Sequence, residues 1–193
     1  MAITLPTKIQ KEIKKTVYEK ADEIRYLECG RIRSGEFLDL LVTDPKVGCI
    51  LIEYMPKERV RTYIKDGILN AYTKEATKRA LNESTPASTI KQIFHEDAFV
   101  IQEGKGKQKD LFVLRSTSGK IYVVSGGTVL KWETALRKAL EIIANEPNLV
   151  VDGKYPSVCL KLSMAGQALT ESEKNHISTA LSAVGVKAIF CGL

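Results

Sequence analysis

Histidine is nearly missing from this chain. Among 193 residues only His95 and His176 carry an imidazole, which argues against histidine-rich metal centres and triad hydrolases. Cysteine is sparse as well. Cys29, Cys49, Cys159 and Cys191 show no pair spacing of a zinc knuckle, so buried free thiols in a reducing compartment are expected. No apolar run approaches the roughly 18 residues of a membrane span. The start, MAITLPTKIQKEIKK, has no apolar core ahead of its charges. The expectation is an intracellular, cytoplasmic protein with no membrane span. Trp132 is the only tryptophan, and it falls on a predicted helix, where packing rather than base stacking is expected.

Positive charge, by contrast, is in excess. Lys and Arg number 29 against 23 Asp and Glu, a formal net charge of +6. The basic residues come in small groups: KIQKEIKK, RIR, KERVRTYIK, KEATKR and GKGKQK. Such a balance favours a polyanionic partner, although many of these residues also read as solvated helix faces. The residues suited to a nucleic-acid contact are Arg59 and Arg61 on a helix, and Lys105, Lys107 and Lys109 in a Gly/Lys-rich turn.

Apolar periodicity divides the chain into elements. Ile9, Ile13, Val17, Ala21 and Ile24 predict a helix over 7–28, opened by Thr7 and Gln10 at capping-box spacing. FLDLLV and CILIEY read as two strands joined by the turn TDPKVG. Val60, Ile64, Ile68, Tyr72 and Ala76 predict a helix over 57–81, and STIKQIFHE a short one. DAFVIQ, DLFVLRS and KIYVVS read as three strands. Then come a helix over 128–145, the strand SVCLKLSM, a helix opened by the capping box Thr170 and Glu173, and the strand KAIFCG. The fold class is α/β or α+β, a mixed sheet flanked by helices. The 193 residues read as one domain, with a core over about 7–81 and a further hairpin and β-α-β-α-β region over about 88–193.

One internal echo stands out. DLLVTDPKVGCILIEYM from Asp39 aligns without gaps with DLFVLRSTSGKIYVVSG from Asp110, with five of 17 positions identical. Hairpins favour these residue types, so the echo reads as shared composition rather than duplication.

The stretch over 35–57 concentrates the candidate chemistry. Facing residues of a hairpin lie about 5 Å apart, so the turn would bring Asp39 near Glu53, with Glu36 or Glu19 beside them. Carboxylates at that separation suit magnesium. Plain solvated strand ends are the alternative. The order of a helix carrying acids, a hairpin with Asp39 on its first strand, Glu53 fourteen residues on, and then the helix KERVRTYIKDGILNAY resembles the PD-(D/E)XK nuclease superfamily, which includes many restriction endonucleases. The resemblance spans about residues 7–81. It implies a restriction-endonuclease-like core and magnesium held by Asp39 and Glu53. It further implies phosphodiester cleavage, in DNA rather than RNA, and a homodimer. A lysine two residues beyond the Glu orients water in that family. Here Met55 stands at that place, so Lys57 or Lys65 must supply the amine. The other reading is a catalytically inactive nucleic-acid-binding or protein-interaction subunit.

Three further motifs stand out. EGK at 103–105 has the acid-x-lysine spacing but sits in a turn. Ser125 to Thr128, between a strand and a helix, offers backbone N–H groups to an anion. His95, Glu96 and Asp97 are adjacent, which on a strand sends them to opposite faces.

Overall fold

Up to residue 94 the buried apolar residues recur at helical spacing. Over residues 98–128 they fall instead in short runs of five to eight residues, as in strands. The structure, a computed structural model, describes residues 5–106, 109–167 and 169–192. The chain is arranged as two compact units, Met1–Ala76 with Ala165–Ala168, and Thr77–Met164 with Leu169–Leu193. The sequence had suggested one domain.

The first unit is helical. It comprises α1 (Thr7–Glu23), α2 (Arg31–Thr43), α3 (Gly48–Ile52), α4 (Lys57–Thr62), a π-helical segment (Tyr63–Leu69) and the first part of α5 (Asn70–Asn82). Its core joins Ile13, Val17 and Ala21 of α1 to Phe37, Leu38 and Leu41 of α2. Leu51, Val60, Ile64 and Tyr72 complete it. The helix expected over 57–81 is present, with a π segment inside it. α1 begins after Pro6 with no side-chain cap, so the capping box expected at Thr7 is not formed.

The hairpin expected over 37–54 is a correction. FLDLLV lies in α2 and most of CILIEY in α3. Short apolar runs fit a strand or a buried helix equally by pattern, and packing decides between them. Phe37, Leu38 and Leu41 are buried at helical spacing, while Asp39 and Leu40 point to solvent. The Asp44-Pro45 turn separates the two helices, with the Asp44 carboxylate accepting from the Lys46 amide at 2.8 Å. A Cβ on Gly48 would stand 1.8 Å from the Val42 carbonyl oxygen. Only glycine lets α3 start so close to the end of α2.

The second unit holds the sheet, and here the predicted elements form. α6 (Pro86–Phe94) precedes β1 (Ala98–Glu103), β2 (Leu111–Ser116) and β3 (Ile121–Thr128). α7 (Trp132–Asn145), β4 (Ser157–Ser163), α8 (Glu171–Ala183) and β5 (Lys187–Cys191) follow. The strands lie in sequence order, β1 to β3 antiparallel and β3 to β5 parallel. This is the mixed, open sheet flanked by helices that the sequence called for. Leu111, Val113, Val123, Leu160 and Leu162 face α7 and α8, while Leu114, Tyr122, Val124 and Cys159 face α6. Ala135 and Ala139 let α7 settle on β3, where Ala135 leaves no more than methyl contact with Gly127. The Thr170–Glu173 capping box forms as expected.

Residues 125–128 lie within β3 and pair with Leu160 to Ser163 of β4. They are ladder strand, not an anion-binding turn. All four cysteines are free, three of them buried and Cys49 exposed. Among the described residues no helix is long and apolar enough to cross a membrane.

Glu96, just after α6, is a hub. It pairs with Lys120 and accepts from the Ser118 hydroxyl at 3.1 Å. Lys120 first, then the hydroxyls of Tyr122, Ser116 and Ser118, hold its carboxyl down to about 2, against an ordinary 4.5. A lowered carboxyl binds its proton later than the unfolded chain does, so the stabilisation is complete above about 4.5 and is lost as pH falls through about 2. Urea unfolding of the wild type should weaken across that window, and Glu96→Gln should flatten the dependence. An unchanged slope in the variant refutes the assignment.

Candidate functional site

Asp39 sits on the solvent face of α2 and Glu53 follows the last turn of α3, both exposed. Neither is on a strand, so the cross-strand approach expected of them does not arise. Asp39 already has a partner, since Arg61 Nε donates to its Oδ1 at 2.8 Å. Glu36 is exposed on α2. Glu19 on α1 lies 3.7 Å from Lys15. Lys57 opens α4 and Lys65 lies in the π segment, both exposed, as is Arg59. Of the proposed cluster, the structure thus joins Asp39 to Arg61. Among the described residues no three His, Cys, Asp or Glu side chains gather to hold a metal ion.

The second unit holds an aspartate-headed hairpin, β2–β3, with Asp110 directly before β2; β1 stands between it and α6, and α7 follows. The two stretches of the echo fold differently: the one from Asp39 as helices, the one from Asp110 as the hairpin. Fourteen residues beyond Asp110 stands Val124, and two further stands Gly126.

An amine reaches this place from the neighbouring strand. Lys161 pairs in register with Gly126 and is only 4% exposed. Its Nζ donates to the carbonyls of Leu81 at 2.5 Å and Ser84 at 2.6 Å. These oxygens belong to the end of α5 and the turn into α6, where helix carbonyls lack intrahelical donors. Two of the three ammonium N–H groups are used in this way. Burial pushes the Lys161 pKa down from its ordinary value, and the nearby Cys191, Cys159 and Glu83 act against that.

Lys161, Lys109, Asp110, Gly126, Ser84 and Thr85 line one pocket of about 290 Å³. Gly126 makes room for it. Its amide donates to the Asp110 carbonyl at 2.7 Å. A Cβ at this position would meet the Asp110 Cβ at 3.0 Å and Leu81 Cδ1 at 3.4 Å. Thr85 caps α6, its Oγ1 accepting from the Ser88 amide at 3.1 Å. The Lys109 side chain is exposed and half-buried Asp110 is next to it. Lys105 is exposed in the same connection, and Lys107 lies outside the described residues. The pocket can offer a buried cation, a rim cation and a carboxylate to a bound group.

The sequence carried a signal for Lys161: a lysine between Leu160 and Leu162, inside a strand that is otherwise apolar or small. Alternation alone reads it as solvent-facing. No family model, curated protein or solved structure matches the chain.

Lys161→Met should destabilise the protein by about 1–3 kcal/mol, because two buried carbonyls lose their donor. The folded lysine, with its lowered pKa, sheds its proton before the unfolded one does. Stability should therefore rise with pH as it approaches 10.5. The variant should lose that rise. Chemical denaturation at a series of pH values measures both effects, and a variant as stable as the wild type would show that the carbonyls do not depend on this amine.

Proposed function

We propose that the chain binds nucleic acid, DNA in preference to RNA, as a restriction-endonuclease-like protein that does not cleave it. The pocket of the second unit would receive a backbone phosphate. The observation that carries this reading is the placement of Lys161 and Lys109 around one pocket at the aspartate-headed end of the hairpin. The buried ammonium supplies a donor held by two backbone carbonyls, and an anion compensates such a charge better than carbonyls do. Lys109 at the rim and Lys105 nearby suit the neighbouring phosphates, and the net charge of +6 favours the encounter. The homodimer that the resemblance implies belongs to the same reading.

The donor set does not fit magnesium. The ion takes its protein ligands from carboxylates. This pocket pairs one carboxylate, Asp110, with ammonium groups, and β3 supplies Val124 and Gly126 instead of an acid and a lysine. Asp39 is engaged by Arg61. Cleavage through Asp39, Glu53 and Lys57 or Lys65 is the rival reading.

Fluorescence anisotropy on a DNA duplex at increasing salt tests the proposal. The affinity should fall steeply, as counterions are released. Lys109→Ala should lower the salt slope by about one. Lys161→Met should cost about tenfold in affinity, in line with one charge-assisted hydrogen bond. The absence of binding at low salt would overturn the reading. So would magnesium-dependent cleavage: its loss in Asp110→Asn would place catalysis in this pocket, and its loss in Asp39→Ala would favour the rival.

A further inference from the structure

Where β3 and β4 begin, a cavity of about 550 Å³ opens beside two tight turns. The first joins β2 to β3. There the Gly119 amide donates to the Ser116 carbonyl at 3.0 Å, and Glu96 holds Ser118 and Lys120 in place. The second turn, Val151 to Lys154, precedes β4. Its central residues, Asp152 and Gly153, both have positive φ, 50° and 71°. Val151 and Lys154 bond each other's backbone at 3.1 and 2.9 Å. This is the two-residue hairpin turn that Asp-Gly favours. The cavity is therefore preformed, and a ligand has little ordering to bring about.

Its lining offers three kinds of contact. Phe94 and Tyr122 line it as an aromatic pair, with ring centroids 4.8 Å apart. Tyr155 lines it too and is 76% exposed, so its ring is open to a ligand. Lys120 donates to Glu96 and has further N–H groups to give. Lys154 and Asp152 are exposed and, among the described residues, form no ion pair. A ligand that answers all of these has a flat ring for Tyr155, an anion for the lysines and a donor for Asp152. An aromatic acid leaves the carboxylate without a partner, and a sugar phosphate lacks the ring.

We propose that this cavity binds a nucleotide whose base carries an exocyclic amine. The base stacks on Tyr155, its amine donates to Asp152, and its phosphate meets the ammonium groups of Lys154 and Lys120. The volume suits a ligand of that size. A free mononucleotide and an unpaired nucleotide of a strand present the same chemistry.

The base 2-aminopurine carries such an amine and loses fluorescence when it stacks. The full chain should quench its deoxynucleoside monophosphate, the same base at the unpaired end of an oligonucleotide, or both, and the probe that responds names the source. Tyr155→Ala, at an exposed position, should leave the circular dichroism unchanged and weaken binding by about tenfold, while Tyr155→Phe should retain it. Lys154→Ala should cost a similar factor. Deoxyadenosine monophosphate should compete with the probe, and thymidine monophosphate and inorganic phosphate far less well. Quenching of neither probe, undiminished binding by folded Tyr155→Ala, or equal competition by thymidine monophosphate or by inorganic phosphate would each overturn the proposal. The cavity shares no residue with the pocket of Lys161, and duplex anisotropy tests that pocket, so either reading can fail without the other.

Discussion

A buried cation must be solvated by something, and in the second unit that requirement organises the centre of the sheet. The Lys161 ammonium projects from β4 and is bound by the carbonyls of Leu81 and Ser84. Those carbonyls end a helix and would otherwise lack donors. Each side meets a need of the other: the lysine gains oxygen ligands away from water, and the α5–α6 turn gains a fixed point on the sheet. Gly126, paired beside Lys161 on β3, keeps the space between the lysine and Asp110 open. The pocket lies where these three positions meet the α5–α6 turn and the residues ahead of β2.

The first unit is held by a different constraint, apolar burial at helical spacing. Phe37, Leu38 and Leu41 pack on α1, α4 and the π segment as one cluster. Gly48 allows α3 to begin against the carbonyl of Val42. Polar contacts decorate this core. Lys14 Nζ donates to Glu75 at 2.9 Å and Tyr18 Oη to the same oxygen at 3.1 Å. The Tyr72 hydroxyl donates to Asp22. Asp39 and Arg61 make a comparable surface pair, both side chains at least half exposed. Exposed pairs of this kind contribute little to stability. Asp39 is exposed on the surface of α2 with a basic neighbour.

The functional reading shifts accordingly from the first unit to the second. The two stretches that begin with Asp39 and Asp110 share residues at five positions but not a structure. In the first, Asp39 and Glu53 belong to two helices, and in the second, Asp110 heads a real hairpin with valine where the second acid would stand. Charge at the second site is supplied from a neighbouring strand, by Lys161 of β4, and that placement is what the proposed anion-binding reading rests on.

The sheet strands, α6, α7 and α8 were legible in the sequence, because short apolar runs rich in branched residues bounded by turns, helical spacing and the Thr170–Glu173 cap are local signals. The helix over 57–81 was legible for the same reason, from five apolar residues at steady helical spacing. The fate of FLDLLV and CILIEY was not, since a run of five or six apolar residues satisfies a buried helix and a strand equally. Only the partner surface, here α1 and α4, selects the helix. Nor was the pocket legible. Lys161 and Gly126 are 35 positions apart in the chain, and β-pairing alone makes them neighbours. The sequence by itself determined where apolar faces recur and where charge collects. The tertiary structure decided which lysine is buried, which carbonyls solvate it and which aspartate shares its pocket, because burial and pairing are properties of surfaces brought together from distant parts of the chain.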